Sequence, residues 1–354
     1  CIHKTMATAL EEKTFAGSGQ NASAVIRVED IRHSYGKRTA LKGISFDVAA
    51  GEIFGLLGPN GSGKTTLFRI LSTLMLPTSG RALVSGFDST KQADEVRRRI
   101  GVVFQSKSVD LKLTAAENLW HQGHLYGLRG ATLKSRIQEM LERVALVDRT
   151  KDKVETFSGG MQRRVELAKG LMHRPSVLLL DEPTTGLDPG ARRDLWIYLD
   201  ELRAREKVSI IVTTHLMEEA EHCDRLAILN LGEIVALGTP EELRSEIGGD
   251  VVMLEAADPA ALAQRIQERF KIATTALDGK VRLEIQDGLK FVTAVAEAMP
   301  GTIQSVSISK PTLDDVFISR TGHRFWTEQE QDSEKANLAI GKHRRHGSEE
   351  ERLQ

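Results

Sequence analysis

Nine consecutive residues after a predicted strand have the composition of a phosphate-binding loop. The segment reads Gly58-Pro59-Asn60-Gly61-Ser62-Gly63-Lys64-Thr65-Thr66. Its spacing fits G-x-x-x-x-G-K-[ST], in which glycines let backbone N–H groups turn inward around an anion and the next helix adds its N-terminal partial charge. Lys64 supplies a mobile charge for the β- and γ-phosphates, and the Thr65 hydroxyl suits Mg²⁺. The loop therefore predicts a nucleotide site.

A pair of carboxylates follows another predicted strand. The apolar run 177–180 predicts a buried central strand, and Asp181 and Glu182 come directly after it. We expect this strand end to lie in the same cleft as the phosphate-binding loop. There Asp181 can hold Mg²⁺ through water, and Glu182 can act as a general base on the attacking water. Adjacent carboxylates also occur at solvated strand ends, but the upstream loop favours the functional interpretation.

A second helix start is rich in small residues. Ser158, Gly159 and Gly160 precede Met161 and Gln162, and apolar residues then recur with helical spacing. The N-terminus of this helix is another position that favours an anion. Because one nucleotide needs only one phosphate-binding loop, the second helix start suggests that the γ-phosphate is held by a partner molecule. A glycine-rich helix cap without a ligand is the alternative.

Predicted strands alternate with predicted helices, which indicates an α/β fold with a parallel sheet buried on both faces. A mostly helical block at about 112–172 interrupts the alternation and suggests an inserted helical subdomain. Gly248 and Gly249 form the best linker candidate. We therefore expect four parts, namely a disordered extension (1–24), an ATPase-like domain (25–247), a small accessory α+β domain (250–322) and a disordered charged tail (323–354).

Composition excludes several classes of protein. The chain has 354 residues, with 48 Lys and Arg against 49 Asp and Glu, and this near-neutral balance argues against a dedicated nucleic-acid binder. Its two cysteines cannot form a disulfide framework, so we expect a reducing compartment. No apolar run approaches the roughly 18–20 residues that a membrane-spanning helix needs.

Taken together, these motifs resemble the nucleotide-binding subunits of ATP-binding cassette (ABC) transporters. The resemblance covers about 25–240 and includes seven motifs in the order that the family shows. These are Tyr35, the loop at 58–66, Gln105, the signature 158–162, Asp181-Glu182, Gly186-Leu187-Asp188 and His215. The residue before the signature is usually Leu and is Phe157 here, an apolar exchange that leaves the phosphate contacts intact. The resemblance implies the P-loop fold of ABC ATPases.

The resemblance also implies roles for individual residues. Tyr35 would stack on adenine, Gln105 would contact Mg²⁺ and the attacking water, and His215 would contact the γ-phosphate. Ser158, Gly159, Gly160 and Gln162 would contact the nucleotide of the opposite subunit, and Asp188 would orient the partner's phosphate-binding loop. With Glu182 as the base and Lys64 on the phosphates, the chain is expected to bind ATP and Mg²⁺ and to hydrolyse ATP.

Further segments resemble export-type cassettes. Residues 108–119 and 125–127 are similar to those of drug-resistance, nodulation and polysaccharide or lipid exporters, and residues 311–317 followed by Gly322 match the ending of the drug-resistance type. The expected partners are an integral membrane permease and a second copy or a similar cassette, at the cytoplasmic face of the membrane, with no nucleic acid. Polysaccharide export, a soluble cassette ATPase acting on ribosomes or DNA, and a regulator without turnover are the alternatives.

Overall fold

The computed structural model describes residues 24–325. The extension predicted over residues 1–24 therefore lies outside the described residues except for Ala24, which begins the first strand. The tail predicted over 323–354 also lies outside them, except for its first three residues. Among residues 24–325, no helix is both long and apolar enough to cross a bilayer.

Ten strands form two sheets in the first part of the chain. They are β1 (Ala24–Tyr35), β2 (Arg38–Ala49), β3 (Ile53–Leu57), β4 (Ser79–Val84), β5 (Phe87–Asp88), β6 (Ile100–Val103), β7 (Val177–Asp181), β8 (Ser209–Thr214), β9 (Arg225–Asn230) and β10 (Glu233–Gly238). One sheet is antiparallel with the order β2-β1-β4-β5. The other has the order β10-β9-β3-β8-β7-β6 and is parallel except for β10.

The parallel sheet confirms the predicted α/β class. Its central strands β3, β7 and β8 are buried along their whole length, as expected for apolar runs covered on both faces. These three neighbouring strands end just before Gly58, at Asp181 and just before His215. Because parallel strands end at the same edge of the sheet, three distant motifs meet there.

Eight α-helices accompany these strands in the described residues, besides two short 3-10 helices. They are α1 (Lys64–Leu71), α2 (Ala93–Arg97), α3 (Ala115–Leu125), α4 (Gly130–Arg143), α5 (Gly159–Leu171), α6 (Pro189–Glu206), α7 (Met217–Ala220) and α8 (Pro240–Ser245). The block α3–α5 interrupts the strand–helix alternation between β6 and β7, where the sequence predicts an inserted subdomain. Thr114 and Glu117 form a capping box at the start of α3, and Leu119, Leu133 and Val165 join the core beneath the block.

The last part of the described chain is a second α+β unit. Its elements are β11 (Asp250–Glu255), α9 (Pro259–Phe270), β12 (Thr275–Leu277), β13 (Lys280–Ile285), α10 (Gly288–Ala298), β14 (Ser305–Ser309) and α11 (Leu313–Thr321). The strands form an antiparallel sheet of order β12-β13-β11-β14, and the helices α9 and α10 share its apolar core. Helix α11 instead buries Phe317 in a core shared with Leu57 of β3 and Ile228 of β9.

The start of the predicted tail needs a correction. Phe325 is only 2% exposed and packs edge-to-face on Phe317 with ring centroids 4.9 Å apart. Because this aromatic ring buries a large apolar area, the packed part of the chain continues beyond residue 322. Phe325 stands at the start of a mostly polar and charged stretch, which concealed this anchor in the sequence.

Candidate active site

Backbone hydrogen bonds to the end of β8 and to the turn between β9 and β10 hold the phosphate-binding loop in place. Gly58 N donates to Thr214 O at 3.3 Å, which ties the loop to the end of β8. Gly232, in the turn between β9 and β10, donates to Ser62 O at 3.0 Å and accepts from Lys42 N at 2.9 Å. A Cβ at Gly58 would lie 2.5 Å from Leu229 O, so only glycine fits at this approach. The loop is thus held by strands on both sides of β3.

Helix α1 begins at the end of this loop without a side-chain cap. Gly63 occupies the cap position with φ 110°, and no side chain among the described residues accepts from the first turn. The free amides and the partial positive charge of a helix start favour a phosphate there. Lys64 is 4% exposed and donates to Gly58 O and Pro59 O at 2.5 and 3.1 Å. Burial lowers its pKa to about 8, against the opposing attraction of Glu182 and Asp181.

The two carboxylates at the end of β7 differ in their surroundings. Asp181 is 6% exposed and accepts a hydrogen bond from Thr213 Oγ1 at 2.5 Å. Burial raises its pKa above the ordinary value, and repulsion from Glu182 adds to the rise. Glu182 has φ 44°, a left-handed conformation that is uncommon outside glycine. Its N–H donates to O and Oγ1 of Thr213 at 3.1 and 3.0 Å, which holds the backbone of Glu182 against β8.

The structure brings Glu182, Gln105 and His215 together. Gln105 Nε2 donates to Glu182 Oε2 at 2.9 Å, and His215 Nδ1 lies 3.2 Å from Glu182 Oε1. Burial raises the pKa of Glu182, but the contact with His215 and the charge of Lys64 outweigh it, so the pKa is lowered. The carboxylate therefore stays ionised at neutral pH, as a general base requires.

One cleft joins the loop to this cluster. It is lined by Tyr35, Arg38, Ala40, Asn60, Gly61, Gly63, Lys64, Thr65, Thr66 and Glu182. Tyr35 is 43% exposed, and its hydroxyl lies 3.4 Å from Thr66 Oγ1. An exposed ring held beside the phosphate-binding loop can stack on a nucleotide base. Arg38 lines this cleft but was not predicted from the sequence.

The predicted Mg²⁺ ligands Thr65, Gln105 and Asp181 offer a hydroxyl, an amide oxygen and a carboxylate. Such oxygen donors suit Mg²⁺, which usually takes one or two carboxylates and completes its shell with water and phosphate oxygens. Within residues 24–325, no group of three or more His, Cys, Asp and Glu side chains could hold a metal ion by itself. The donor set fits a magnesium ion that arrives with a nucleotide.

The second predicted phosphate site lies elsewhere on the chain. Ser158 Oγ accepts from Met161 N at 3.2 Å and caps α5. Asp188 Oδ1 likewise accepts from Ala191 N at 2.9 Å at the start of α6. The two helix starts share a cavity of about 350 Å³, and none of its lining residues lines the cleft of the phosphate-binding loop. A Cβ at Gly160 would lie 2.9 Å from that of Ala191, so glycine permits this close approach. Gly159 lies between Ser158 and Gly160 in the first turn.

Gln162 is predicted to contact the nucleotide of the opposite subunit, and in this structure its side chain is hydrogen-bonded within its own chain. Its side chain is buried, with 8% exposure of the residue. Its amide nitrogen donates to Phe157 O and Val154 O at 3.0 and 3.3 Å, and its amide oxygen accepts from Lys107 Nζ at 2.5 Å. Both ends of the Gln162 amide are therefore hydrogen-bonded within the chain, and two of these bonds hold the backbone just before Ser158. Periodicity places it on a helix but does not show which way it points.

Family models match two parts of the chain. Residues 41–185 match the model "ABC transporter", and residues 238–321 match "ATP-binding protein DrrA1-3-like, C-terminal domain". The linearmycin resistance ATP-binding protein LnrL of Bacillus subtilis (strain 168) is 38% identical over 84% of this chain and 98% of its own length. The daunorubicin resistance ATP-binding protein DrrA3 of Streptomyces coeruleorubidus is 38% identical over 85% of this chain and 97% of its own length.

Solved structures of ATP-binding cassettes also match this chain. CbiO1 from Clostridium perfringens, part of the ABC transporter complex CbiONQ, superposes with a TM-score of 0.59 and 27% identity over 70% of this chain and 96% of that chain. The ATP-binding cassette MJ0796, in a dimeric post-hydrolysis state with ADP and Pi, gives a TM-score of 0.55 and 29% identity over 60% of this chain and 98% of that chain. The loop, carboxylates and fold described above agree with these matches. The chain therefore belongs to the ABC transporter family, as an ATP-binding subunit that hydrolyses ATP.

Proposed function

We propose that two copies of this chain, or this chain and a similar cassette, close around ATP so that each site uses residues of both. The proposal rests on the separation of two helix starts, that of α1 at Lys64 and that of α5 after Ser158. The cleft of Lys64 is lined by Glu182, which Gln105 and His215 contact, whereas Ser158 and Asp188 line a different cavity. The dimeric state of the cassette MJ0796 supports the same arrangement.

Within the cleft, each residue has a defined role. Lys64 and the amides at the start of α1 bind the phosphates, and Tyr35 stacks on the adenine. Thr65, Asp181 and Gln105 hold the Mg²⁺, which neutralises phosphate charge when it is bound. Glu182 accepts the proton of the attacking water, and His215, 3.2 Å from that carboxylate, holds it ionised and contacts the γ-phosphate.

The work done by this ATPase is export through an integral membrane permease. The support comes from relatives named for resistance to linearmycin and to daunorubicin, which match 84% and 85% of this chain and nearly the whole of their own length. We infer that drugs or other amphipathic compounds, including lipids, are the cargo and that the chain lies at the cytoplasmic face of the membrane. Residues 25–247 form the ATPase domain in this scheme, and residues 250–322 form an accessory domain.

The substitution Glu182→Gln tests the dimer. It keeps the size of the side chain but removes the base, so ATP should bind without turnover. General-base catalysis contributes roughly 10²- to 10⁴-fold, and the hydrolysis rate should fall by that amount. The variant should accumulate as an ATP-bound dimer in size-exclusion chromatography, and its elution without ATP is the control. A monomer under both conditions contradicts the proposed closure.

Transport needs a separate measurement. Inverted membrane vesicles containing this chain and a candidate integral membrane permease should take up daunorubicin when Mg-ATP is added. The matched control replaces the chain with its Lys64→Ala variant, which lacks the phosphate-binding charge. Uptake that is equal in both preparations would exclude daunorubicin-type compounds as the cargo.

A further inference from the structure

A buried arginine lies between two segments that carry catalytic side chains. Arg163 is on α5, five residues after Ser158, and is 7% exposed. Its Nε donates to Pro183 O at 2.8 Å, and its Nη1 donates to Phe104 O at 2.7 Å. Its Nη2 makes longer contacts with the carbonyls of Asp181 and Glu182, at 3.4 and 3.5 Å. One guanidinium thus spans from the end of β6 to the turn after β7.

Glu166 completes this arrangement. The residue is 3% exposed, and its Oε2 accepts from Arg163 Nη1 at 2.7 Å. Its Oε1 accepts from the backbone N–H of Ser108 at 2.6 Å, three residues after Gln105. Both charges are therefore paired and hydrogen-bonded, as a buried ion pair must be to offset its loss of hydration. The pair holds the segment 104–108 at two points.

The carbonyls that Arg163 binds belong to the immediate neighbours of the catalytic cluster. Phe104 precedes Gln105, and Pro183 follows Glu182. The side chains of Gln105 and Glu182 meet at 2.9 Å, so a small shift of either segment would break that contact. In addition, Glu182 has the uncommon φ of 44° and is anchored on its N–H side by Thr213 alone. On the opposite side, Glu182 O accepts from Thr185 N at 3.2 Å, and Arg163 holds the next carbonyl, Pro183 O, at 2.8 Å.

We propose that Arg163, braced by Glu166, is a positioning residue that sets Gln105 against Glu182 and links both to the helix that begins at Ser158. The inference rests on the proposed function, since it deepens the working of the same site. A planar guanidinium has five donors in a rigid fork, so it can bind two segments at once. When a partner's nucleotide contacts Ser158, movement of α5 is transmitted through this fork to the base and to Gln105.

The test separates positioning from general stability. Arg163→Ala leaves Lys64, Tyr35 and the first turn of α1 unchanged, so the Kd for Mg-ATP should stay within about twofold of that of the unchanged protein. A displacement near 1 Å of catalytic groups can cost roughly a hundredfold in rate, and we expect kcat to fall by about ten- to a hundredfold. Fluorescent-nucleotide titration and steady-state hydrolysis by the full chain measure the two quantities.

Arg136 provides a matched control. It is 5% exposed, donates to Met172 O and Leu171 O near the end of α5, and pairs with Glu139 three residues along its own helix at 2.7 Å. Arg136→Ala therefore removes a buried, paired guanidinium of the same kind far from the cluster. It should lower Tm as Arg163→Ala does, while kcat of the folded protein stays within about twofold. If both variants change kcat equally, Arg163 is structural only and the proposal is overturned.

Two milder variants keep the test decisive if Arg163→Ala does not fold. Arg163→Lys retains the charge but offers a point donor that cannot bind both segments, so kcat should fall while the Kd for Mg-ATP holds. Glu166→Gln keeps an acceptor for Ser108 N and should lower kcat less than Arg163→Lys. Unchanged kcat in both variants overturns the positioning role. Failure of the unchanged protein to bind or hydrolyse Mg-ATP would instead refute the proposed function.

Discussion

The helix starts of α1 and α5 look alike in sequence but differ in what surrounds them. Each follows a Ser- and Gly-rich turn, yet the start of α1 has no side-chain cap and α5 is capped by Ser158 itself. Buried Lys64 and the carboxylates of Asp181 and Glu182 surround the first. The second lies beside the exposed Asp188 at another helix start. The first brings the buried Lys64 and the carboxylate of Glu182, which Gln105 and His215 contact, into one cleft.

This difference assigns the two sites different tasks. The start of α1 can bind the phosphates, and its own chain supplies the base for hydrolysis. The start of α5 can add binding energy and orientation, since the carboxylates of its cavity are engaged elsewhere, Asp188 as the cap of α6 and Asp194 in a pair with Arg164. If the two starts act on one nucleotide, the second must come from another molecule, because no residue lines both the cleft and the cavity.

The largest expected effect comes from mixing two variants of the chain, one altered at the start of α1 and the other at the start of α5. Lys64→Ala removes a charge-assisted phosphate contact worth roughly 1.5–3 kcal/mol, and Ser158→Arg blocks the other start with a bulky cation. Each variant alone should lose ATP hydrolysis and ATP-dependent dimerisation. A mixture can pair the intact loop of one chain with the intact Ser158 of the other, which restores one complete site of two.

The readout is dimer formation on addition of ATP to the mixture, with the hydrolysis rate as a second signal. Each variant at the same total concentration is the control. If the mixture behaves as the sum of two inactive proteins in both assays, the sharing of sites between chains has no support. Full activity of Ser158→Arg alone would remove any role for the start of α5.

Much of the site at the start of α1 was predictable from the sequence, because its residues follow apolar strands. The runs before Gly58 and Asp181 identify buried strands, and parallel pairing places their ends together. The support of the loop by Gly232 was not predictable, since it depends on a hairpin about 170 residues further along the chain. The antiparallel strand β10, which forms that hairpin with β9, was likewise missed.

The sequence also did not show which individual polar residues are buried. Arg163 and Arg164 are adjacent in a polar stretch of α5, yet the first is buried against backbone carbonyls and the second forms a partly exposed pair with Asp194. Every residue carries a backbone carbonyl, so residue types do not show which carbonyls accept hydrogen bonds. The sequence therefore cannot show that Arg163 is buried and that Arg164 is partly exposed. The burial of Gln162 was not predictable for the same reason, because its partners include the carbonyls of Val154 and Phe157.

A smaller effect should appear in the pH dependence of the first site. The contact with His215 is a main reason why the pKa of Glu182 lies below its ordinary value despite burial. His215→Ala removes this contact, so the pKa of Glu182 should rise. A base with a raised pKa is protonated at higher pH, and the acidic limb of kcat/KM should therefore move upward.

The measurement is kcat/KM for Mg-ATP from pH 4.5 to 8, within about the range where carboxylates and histidines titrate. His121→Ala is the control, because His121 lies exposed on α3 and does not touch Glu182. Its acidic limb should match that of the unchanged protein. An unshifted limb in His215→Ala would mean that Glu182 is not held ionised by His215.

The smallest effect concerns the second site, where Asp188 caps α6 and is also proposed to contact the partner's phosphate-binding loop. Asn is as good a helix cap as Asp, whereas Ala costs about 1 kcal/mol. Asp188→Asn should therefore leave the free energy of unfolding in urea almost unchanged, and Asp188→Ala should lower it by about that amount. Both variants lose the charge, so both should need a few-fold more ATP for half-maximal dimerisation. If Asp188→Asn dimerises like the unchanged protein, the carboxylate serves α6 alone, and the second site depends on Ser158 and its neighbouring glycines.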